Sequence, residues 1–376
     1  MKPQKKIRVA VLYGGRSTEH EVSVSSAHNV MDKLDRSLFE VIPIKIDKQG
    51  SWFLDAEKLP QLTSAVTTPQ KIFAPVWLNE PETLRKTQLA EIHHAFKTDR
   101  LFDVIFPIMH GTFSEDGTIQ GLLELADVPY VGCGVLTSAI GMDKDFARRL
   151  INHAGLQSVP YIAIQQSEWN LNAAAIETQI WQAFTLPLFV KPANQGSSIG
   201  VKKVRTQEEL KTAIQHAFAY DTKILVEQGI AATELEVAML EALEEGAEPF
   251  VSQIGEVRPH DEFYTYHAKY AVGGSDFLVP AEIPLGIQQQ LQDLSRRIFK
   301  ILSIEGMSRV DFFMDKNTHE IYFNEINTIP GFTPTSMYPM MITQSGISFS
   351  ELLTRLVMLA IKRYEKKQSL ERNYLV

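Results

Sequence analysis

The sequence predicts an α/β protein that opens with a Rossmann-like domain and continues into two smaller mixed units. Three observations carry this. "IRVAVLYGG" (7–15), a helical stretch and "FEVIPIKID" (39–47) follow one another in β-α-β order, the mark of a parallel sheet. "LPLFVKPANQGSSIGVKKV" (186–204) reads as strand, Gly/Ser loop and strand. "MSRVDFFMDKNTHEIYFNEIN" (307–327) reads as a second hairpin, turning at "DKNTH". A chain of 376 residues has room for two or three such units.

The elements follow in order. The run 7–15 ends in Gly-Gly and reads as a buried parallel strand entering a turn. In "STEHEVSVSSAHNVMDKL" Ser17 and Thr18 are N-cap candidates for a helix covering the sheet. Residues 50–100 carry weak signals and read as an elaboration of connecting helix and loop. "FDVIFPIMHG" (102–111) is another strand, with His110 at its exit, and "ADVPYVGCG" (126–134) reads as the last strand of this domain. A helical stretch from 135 carries "SAIGMDKDFARRLINHAGL"; then come the strand "PYIAI", a helix over 168–184, the Gly/Ser hairpin with a mobile tip, and "TKILVEQGI" (222–230). "ELEVAMLEAL", a Gly/Tyr/Lys-rich segment at 260–280 and a helix over 287–303 lead to the last hairpin, and "SFSELLTRLVMLAIKRYEKK" is an amphipathic helix. The expected divisions are 1–134, 135–229 and 230–376.

Composition narrows the function. A formal net charge of −8 argues against a nucleic-acid or anionic-membrane partner. Cys133 is the sole cysteine, so no internal disulfide forms, and no Cys/His cluster has zinc spacing. The N-terminus is basic but lacks a signal peptide's apolar stretch, and no apolar run is long enough to span a bilayer. A cytoplasmic location is expected.

Four stretches carry chemistry. In "EIYFNEINTIPGF" Glu325 and Asn327 stand two apart, which in a strand means one face, the face that also bears Ile321 and Phe323. Arg309 and Asp311 share a face of the partner strand by the same rule. Pairing the two gathers Asp311, Glu325 and Asn327, with Arg309 at the edge. Oxygen donors of this kind repel one another unless a cation lies between them, and they favour Mg²⁺ over zinc. Ile329-Pro330-Gly331 then turns the chain sharply. In "VKPANQGSSIG" Lys191 and the Ser197-Ser198 pair, between Gly196 and Gly200, suit a loop closing over phosphates. "SAIGMDK" offers Lys144, and "HGTFSEDGTIQG" (110–121) a loop at a strand end. Taken singly each has a plainer reading: a polar hairpin face, a turn, a solvated lysine, a strand-end histidine. Neither a Walker A loop nor a dinucleotide fingerprint occurs.

Together these stretches resemble the D-alanine–D-alanine ligases of the ATP-grasp superfamily. "GGRSTEHEVSVSSA", "HGTFSEDGTIQG", "MDK", "VKPANQGSSIGVKKV", "FYTYHAKY", "SRVDFF" and "NEINTIPGFTPTSMYP" stand in the family's order, from Val9 to about Leu356. The resemblance implies a three-domain ATP-grasp fold with a Rossmann-like N-terminal domain, and ligation of two D-alanines for peptidoglycan precursor synthesis. ATP is the co-substrate, with two Mg²⁺ (or Mn²⁺), and the family implies a homodimer. Residue by residue, Asp311, Glu325 and Asn327 match the metal ligands. Lys144, Lys191 and the Ser198 loop match groups on ATP; Glu227 falls in the segment meeting adenine and Glu234 matches the ribose-binding carboxylate. Lys269 matches the lysine that reaches the γ-phosphate. Glu19 matches the carboxylate holding the first D-alanine's ammonium, with Ser197 and Tyr270 as its hydrogen-bonding partners and His110 nearby. Arg309 and the Gly331 N–H match the oxyanion donors; Ser336 and Met337 match the grip on the second D-alanine. Through Lys269-Tyr270 the resemblance favours the dipeptide over a D-lactate ester, with His267 close by in sequence. Ser114 replaces the second glycine of the family's H-G-x-x-G-E-D-G, and would be strained if that position needs positive φ.

Overall fold

The computed structural model describes residues 5–54, 70–73, 101–260 and 274–371. Apolar runs without alternation make buried parallel strands, and they do so first. β1 (Ile7–Gly14) pairs in parallel with β2 (Phe39–Ile46) on one side and β5 (Val104–Pro107) on the other. β3 (Trp52–Leu54) and β4 (Gln70–Phe73) extend the sheet antiparallel, giving the order β4-β3-β2-β1-β5. The weak segment after residue 50 therefore supplies two further strands, with β4 at the edge, where helix and loop were expected.

Two further expectations in this unit are corrected. Helix α1 (His20–Lys33) has Glu19 at its N-cap position, not Ser17 or Thr18. The Ser17 hydroxyl instead accepts from the Glu19 N–H at 3.0 Å, turning the chain one residue before the helix. The stretch 126–134 is no strand. It touches β5 through a single bridge, Ile105 to Tyr130, because Asp127 has φ of 57° and Gly132 of 96°, which extended pairing does not tolerate. Helix α2 (Thr118–Leu125) precedes it.

The helical stretch from 135 is two helices, α3 (Val135–Met142) and α4 (Lys144–His153), broken at Asp143. Asp143 is extended, and its side chain accepts from the N–H groups of Asp145 and Phe146, capping α4. Lys144 is thereby the first residue of that helix. β6 (Tyr161–Gln165), α5 (Gln166–Ala183), β7 (Leu188–Pro192), β8 (Lys202–Val204), α6 (Glu209–Phe218) and β9 (Lys223–Gln228) build an antiparallel sheet of order β6-β9-β7-β8. The third sheet has the order β12-β11-β10-β13-β14, from β10 (Ala232–Leu240), β11 (Phe250–Pro259), β12 (Ser275–Leu278), β13 (Met307–Asp315) and β14 (Ile321–Asn327). Helices α7 (Leu285–Ile301), α8 (Met337–Gln344) and α9 (Phe349–Gln368) complete the chain.

The β13–β14 hairpin forms, but not in simple alternation. Asp311 pairs with Glu325, while the next residue, Phe312, pairs with Phe323; Asn324 is an inserted residue with no counterpart on β13. Ile321, Phe323 and Ile326 consequently all enter one core with Val310 and Phe312. Glu325 and Asn327 lie on the opposite face, with Asp311 and Arg309. The expectation that the polar pair shares a face with Ile321 and Phe323 is thus overturned by a bulge. The bulge also spares Glu325 and Asn327 the cost of losing water among those apolar side chains.

One core joins the two ends of the chain. Val9, Val11, Val30 and Phe106 of the first unit pack with Phe332, Tyr338, Leu352 and Leu356 near the C-terminus. That contact sets the exits of β1 and β5 against the turn after β14. Among the described residues no helix is long and apolar enough to cross a membrane.

Candidate active site

A cavity of about 750 Å³ lies between the second and third sheets, lined among others by Lys144, Lys191, Ser198, Glu234, Asp311 and Glu325. Its floor is the face exposed by the bulge. Arg309 Nε and Nη2 each donate to Asp311 at 2.7 Å, and Nε lies 3.1 Å from the buried Glu236. Asn327 Nδ2 donates to Asp311 Oδ2 at 3.0 Å, which leaves Oδ1 as the ligand atom it can offer. Lys144 Nζ lies 3.1 Å from Glu325 Oε2 and donates to the Gln195 carbonyl at 2.7 Å. The two carboxylates are balanced here by Arg309 and Lys144.

The roof is the Gly/Ser loop between β7 and β8. Ser197 (φ 51°) and Ser198 (φ 58°) both adopt left-handed backbone, which turns the loop back over the cleft. Lys191, at the end of β7, is buried, and burial pushes its ammonium below the ordinary lysine value; Glu227, 2.8 Å away, opposes that shift.

A second group of residues lies where the first unit meets the roof. The Ser197 hydroxyl donates to Glu19, which is buried. A Cβ on Gly111 would fall 2.6 Å from Glu19 Oε2, and one on Gly196 would fall 3.0 Å from it. Glu19 is therefore held between two loops that must approach without side chains. His110 Nδ1 donates to the Ile329 carbonyl at 3.1 Å, and its Nε2 accepts from Ser26 Oγ, also at 3.1 Å. Burial pushes its imidazole below the usual histidine value, so it is neutral at pH 7. Both ring nitrogens are thus committed to holding the turn that carries Gly331. Ser26 Oγ accepts from the Phe332 N–H at 3.2 Å, and Asn29 Nδ2 donates to the Phe332 carbonyl at 2.7 Å.

The D-ala D-ala ligase N-terminus family model matches residues 8–133, and the D-ala D-ala ligase C-terminus model matches residues 150–358. The chain belongs to the D-alanine–D-alanine ligase family. The D-alanine–D-alanine ligase of Caldicellulosiruptor bescii is 45% identical over 97% of this chain and 98% of its own. The D-alanine–D-alanine ligase A of Bradyrhizobium diazoefficiens is 46% identical over 98% of this chain and 99% of its own. Among solved structures, the VanG D-Ala:D-Ser ligase from Enterococcus faecalis superposes with a TM-score of 0.76 at 34% identity, covering 95% of this chain and all (100%) of that one. The D-alanine–D-alanine ligase from Coxiella burnetii gives 0.76 at 30%, covering 97% of each chain. The protein is a ligase with the ATP-grasp fold.

Within this ligase the motif residues fall into two groups. Lys144, Lys191, Ser198, Glu227, Glu234, Arg309, Asp311, Glu325 and Asn327 gather around the cleft. Glu19, Ser197, His110 and Gly331 gather at its inner end. Gly331 lies against Ser336: a Cβ there would fall 2.7 Å from Ser336 Oγ, which also accepts from the Thr333 N–H at 2.9 Å. Met337 buries its side chain in the shared core, so what it can offer a carboxylate is its backbone N–H in the first turn of α8. Lys269, Tyr270 and His267 lie outside the described residues. Ser114 is not at positive φ; its neighbour Phe113 is, at 66°, so the expected strain at Ser114 is absent. Its hydroxyl is instead buried without a hydrogen-bond partner among the described residues.

Three contributors escaped the motif reading. Glu236, which pairs with Asp311 across β10 and β13, lies two residues from Glu234 on the same strand face, and alternation could have found it. Arg148 left no local signal, and Asn324 opens the last motif but was given no role there, because their roles come from a contact across 176 residues.

Proposed function

We propose that the ligase forms D-alanyl-D-alanine from two D-alanines and ATP through a D-alanyl phosphate. The pairing of Glu19 with Ser197, across the junction of first unit and roof, carries this reading: it sets a buried carboxylate to receive an ammonium beside the phosphate cleft. Tyr270 would complete that grip and Lys269 reach the γ-phosphate. Lys144, Lys191 and the Ser198 loop would hold the phosphates, with Glu227 and Glu234 toward adenosine. We read 1–134, 135–229 and 230–376 as the three units, in a cytoplasmic homodimer.

The donor set fits Mg²⁺. Asp311, Glu325 and Asn327 offer only oxygens, on neighbouring register positions. Among the described residues no group of three or more His, Cys, Asp or Glu forms a ready metal site, so the phosphate oxygens of ATP must supply the remaining ligands. When bound, Mg²⁺ neutralises charge on the transferring phosphoryl group. The first D-alanine's carboxylate attacks the γ-phosphate in line, and the acyl phosphate and ADP result. The second D-alanine's amine attacks the acyl carbon, its carboxylate held by Ser336 and the Met337 N–H. Arg309 and the Gly331 N–H meet the oxyanion, and phosphate departs. The roof keeps water from the acyl phosphate.

The test is mass-spectrometric identification of the product from ATP, Mg²⁺ and D-alanine, with D-lactate and D-serine offered in equal amounts. The dipeptide should dominate; ester as the main product at neutral pH would overturn the reading. Glu325→Gln should lower turnover by two or more orders of magnitude and raise the Mg²⁺ requirement while leaving the fold intact.

A further inference from the structure

Arg148, on α4, is 0% exposed, although it belongs to none of the motifs. Its Nη1 donates to Glu227 Oε1 at 2.7 Å. Its Nη2 donates to Asn324 Oδ1 at 3.0 Å, and its Nε to the Asn324 main-chain carbonyl at 3.0 Å. The guanidinium carbon stands 5.3 Å from the centre of the Tyr161 ring. Three acceptors on two strands of different sheets are thus met by one planar fork.

Asn324 is the inserted residue of the β14 bulge. A bulge leaves its extra residue outside the ladder, so that residue's carbonyl needs another donor. Arg148 Nε is that donor. The bulge has a chemical consequence: without it, strict alternation from Phe323 would send Glu325 into the core beside Ile321. With it, Glu325 and Asn327 face Asp311.

We propose that Arg148 is a positioning residue for the metal-binding face, acting by fixing the Asn324 bulge and hence the direction of Glu325 and Asn327. The inference rests on reading Asp311, Glu325 and Asn327 as Mg²⁺ ligands. On the metal-binding face Arg148 acts through Asn324. Its partner Glu227 anchors the other end of the fork, so the bulge is referred to the central sheet rather than left to its own strand. Lysine keeps the charge but presents one nitrogen, which cannot serve Glu227 and both Asn324 acceptors in a plane.

The test uses the full chain as Arg148→Lys, as Asn324→Ala, and as Glu325→Gln for reference. ATP binding is measured by calorimetry in EDTA and across a Mg²⁺ titration, alongside the KM for D-alanine. Arg148→Lys should raise the Mg²⁺ concentration for half-maximal tightening of ATP binding about 10- to 100-fold, with the KM for D-alanine changed far less. Asn324→Ala, which keeps the main-chain acceptor, should shift it the same way by a smaller factor, and the double variant should be no worse than Arg148→Lys alone. A shifted Glu325→Gln with unshifted Arg148→Lys overturns the role of Arg148. If Arg148→Lys does not fold, an unshifted Asn324→Ala overturns it instead. An unshifted Glu325→Gln would show that the metal-face reading itself has failed.

Discussion

Glu115 lies within the strand-end histidine loop and accepts from the Gly111 N–H at 3.1 Å. Burial, and then the nearby charge of Glu19, push its carboxyl up to about 8. The folded chain therefore holds a proton that the unfolded chain releases near the ordinary carboxylate value. The resulting stability is fully present below that ordinary value and is lost as pH rises through about 8. Urea denaturation between pH 5 and 9, in EDTA without nucleotide, should show stability falling with pH, and Glu115→Gln should flatten that fall. An equal fall in wild type and variant would place the titration elsewhere. One residue earlier, Ser114 buries a hydroxyl without a partner among the described residues. Such a group costs about 1–3 kcal/mol, so Ser114→Ala should raise the denaturation midpoint.

At the scale of elements, loops that approach without side chains position the site more than the strands do. Gly111 has φ of 76°, and a Cβ there would fall 2.6 Å from both Glu19 and Ser17. Gly111→Ala adds about 1–2 kcal/mol of backbone strain and displaces Glu19. The KM for D-alanine should rise at least tenfold, about 1.4 kcal/mol in binding, while ATP affinity measured separately changes little. A parallel loss of ATP affinity would mean that the loop supports the whole cleft. The β13–β14 hairpin makes the complementary point. Its two strands and the gathering of Asp311, Glu325 and Asn327 were legible, yet the side that Glu325 and Asn327 take relative to Ile321 and Phe323 was not. The face depends on the bulge at Asn324, and the bulge on Arg148, 176 positions away in sequence.

Across the whole molecule, the shared core joins first unit to last, and Phe332 is at its centre. Its ring meets Phe106 at 6.1 Å, Tyr338 at 5.5 Å and Phe349 at 6.0 Å between centroids. Its backbone is gripped by Ser26 and Asn29, and Gly331 precedes it. Phe332→Ala should cost about 3–5 kcal/mol and should also lower kcat, because the Gly331 N–H loses its seat. Thermal unfolding and single-turnover kinetics separate the two effects. Lost stability with unchanged kcat at low temperature would show that the turn is held by His110, Ser26 and Asn29 alone.

Local sequence was enough for the strand-and-loop pieces and the chemistry they carry: β7 with its Gly/Ser loop and Lys191, the two strands of the last hairpin, Lys144 at the end of a short apolar segment, and the acid–amide pair Glu325 and Asn327. These are local properties, set by apolar runs, turn residues and the donor atoms of each side chain. Packing across the chain was needed to settle which way the acid–amide pair faces, that residues 126–134 make one bridge instead of a strand, and that His110 gives one ring nitrogen to a carbonyl 219 residues away and the other to Ser26 on α1. The physical reason is the same in each case. A period of two reports alternation but not an inserted residue, and a side chain reports what it can bond but not which distant carbonyl folding brings to it.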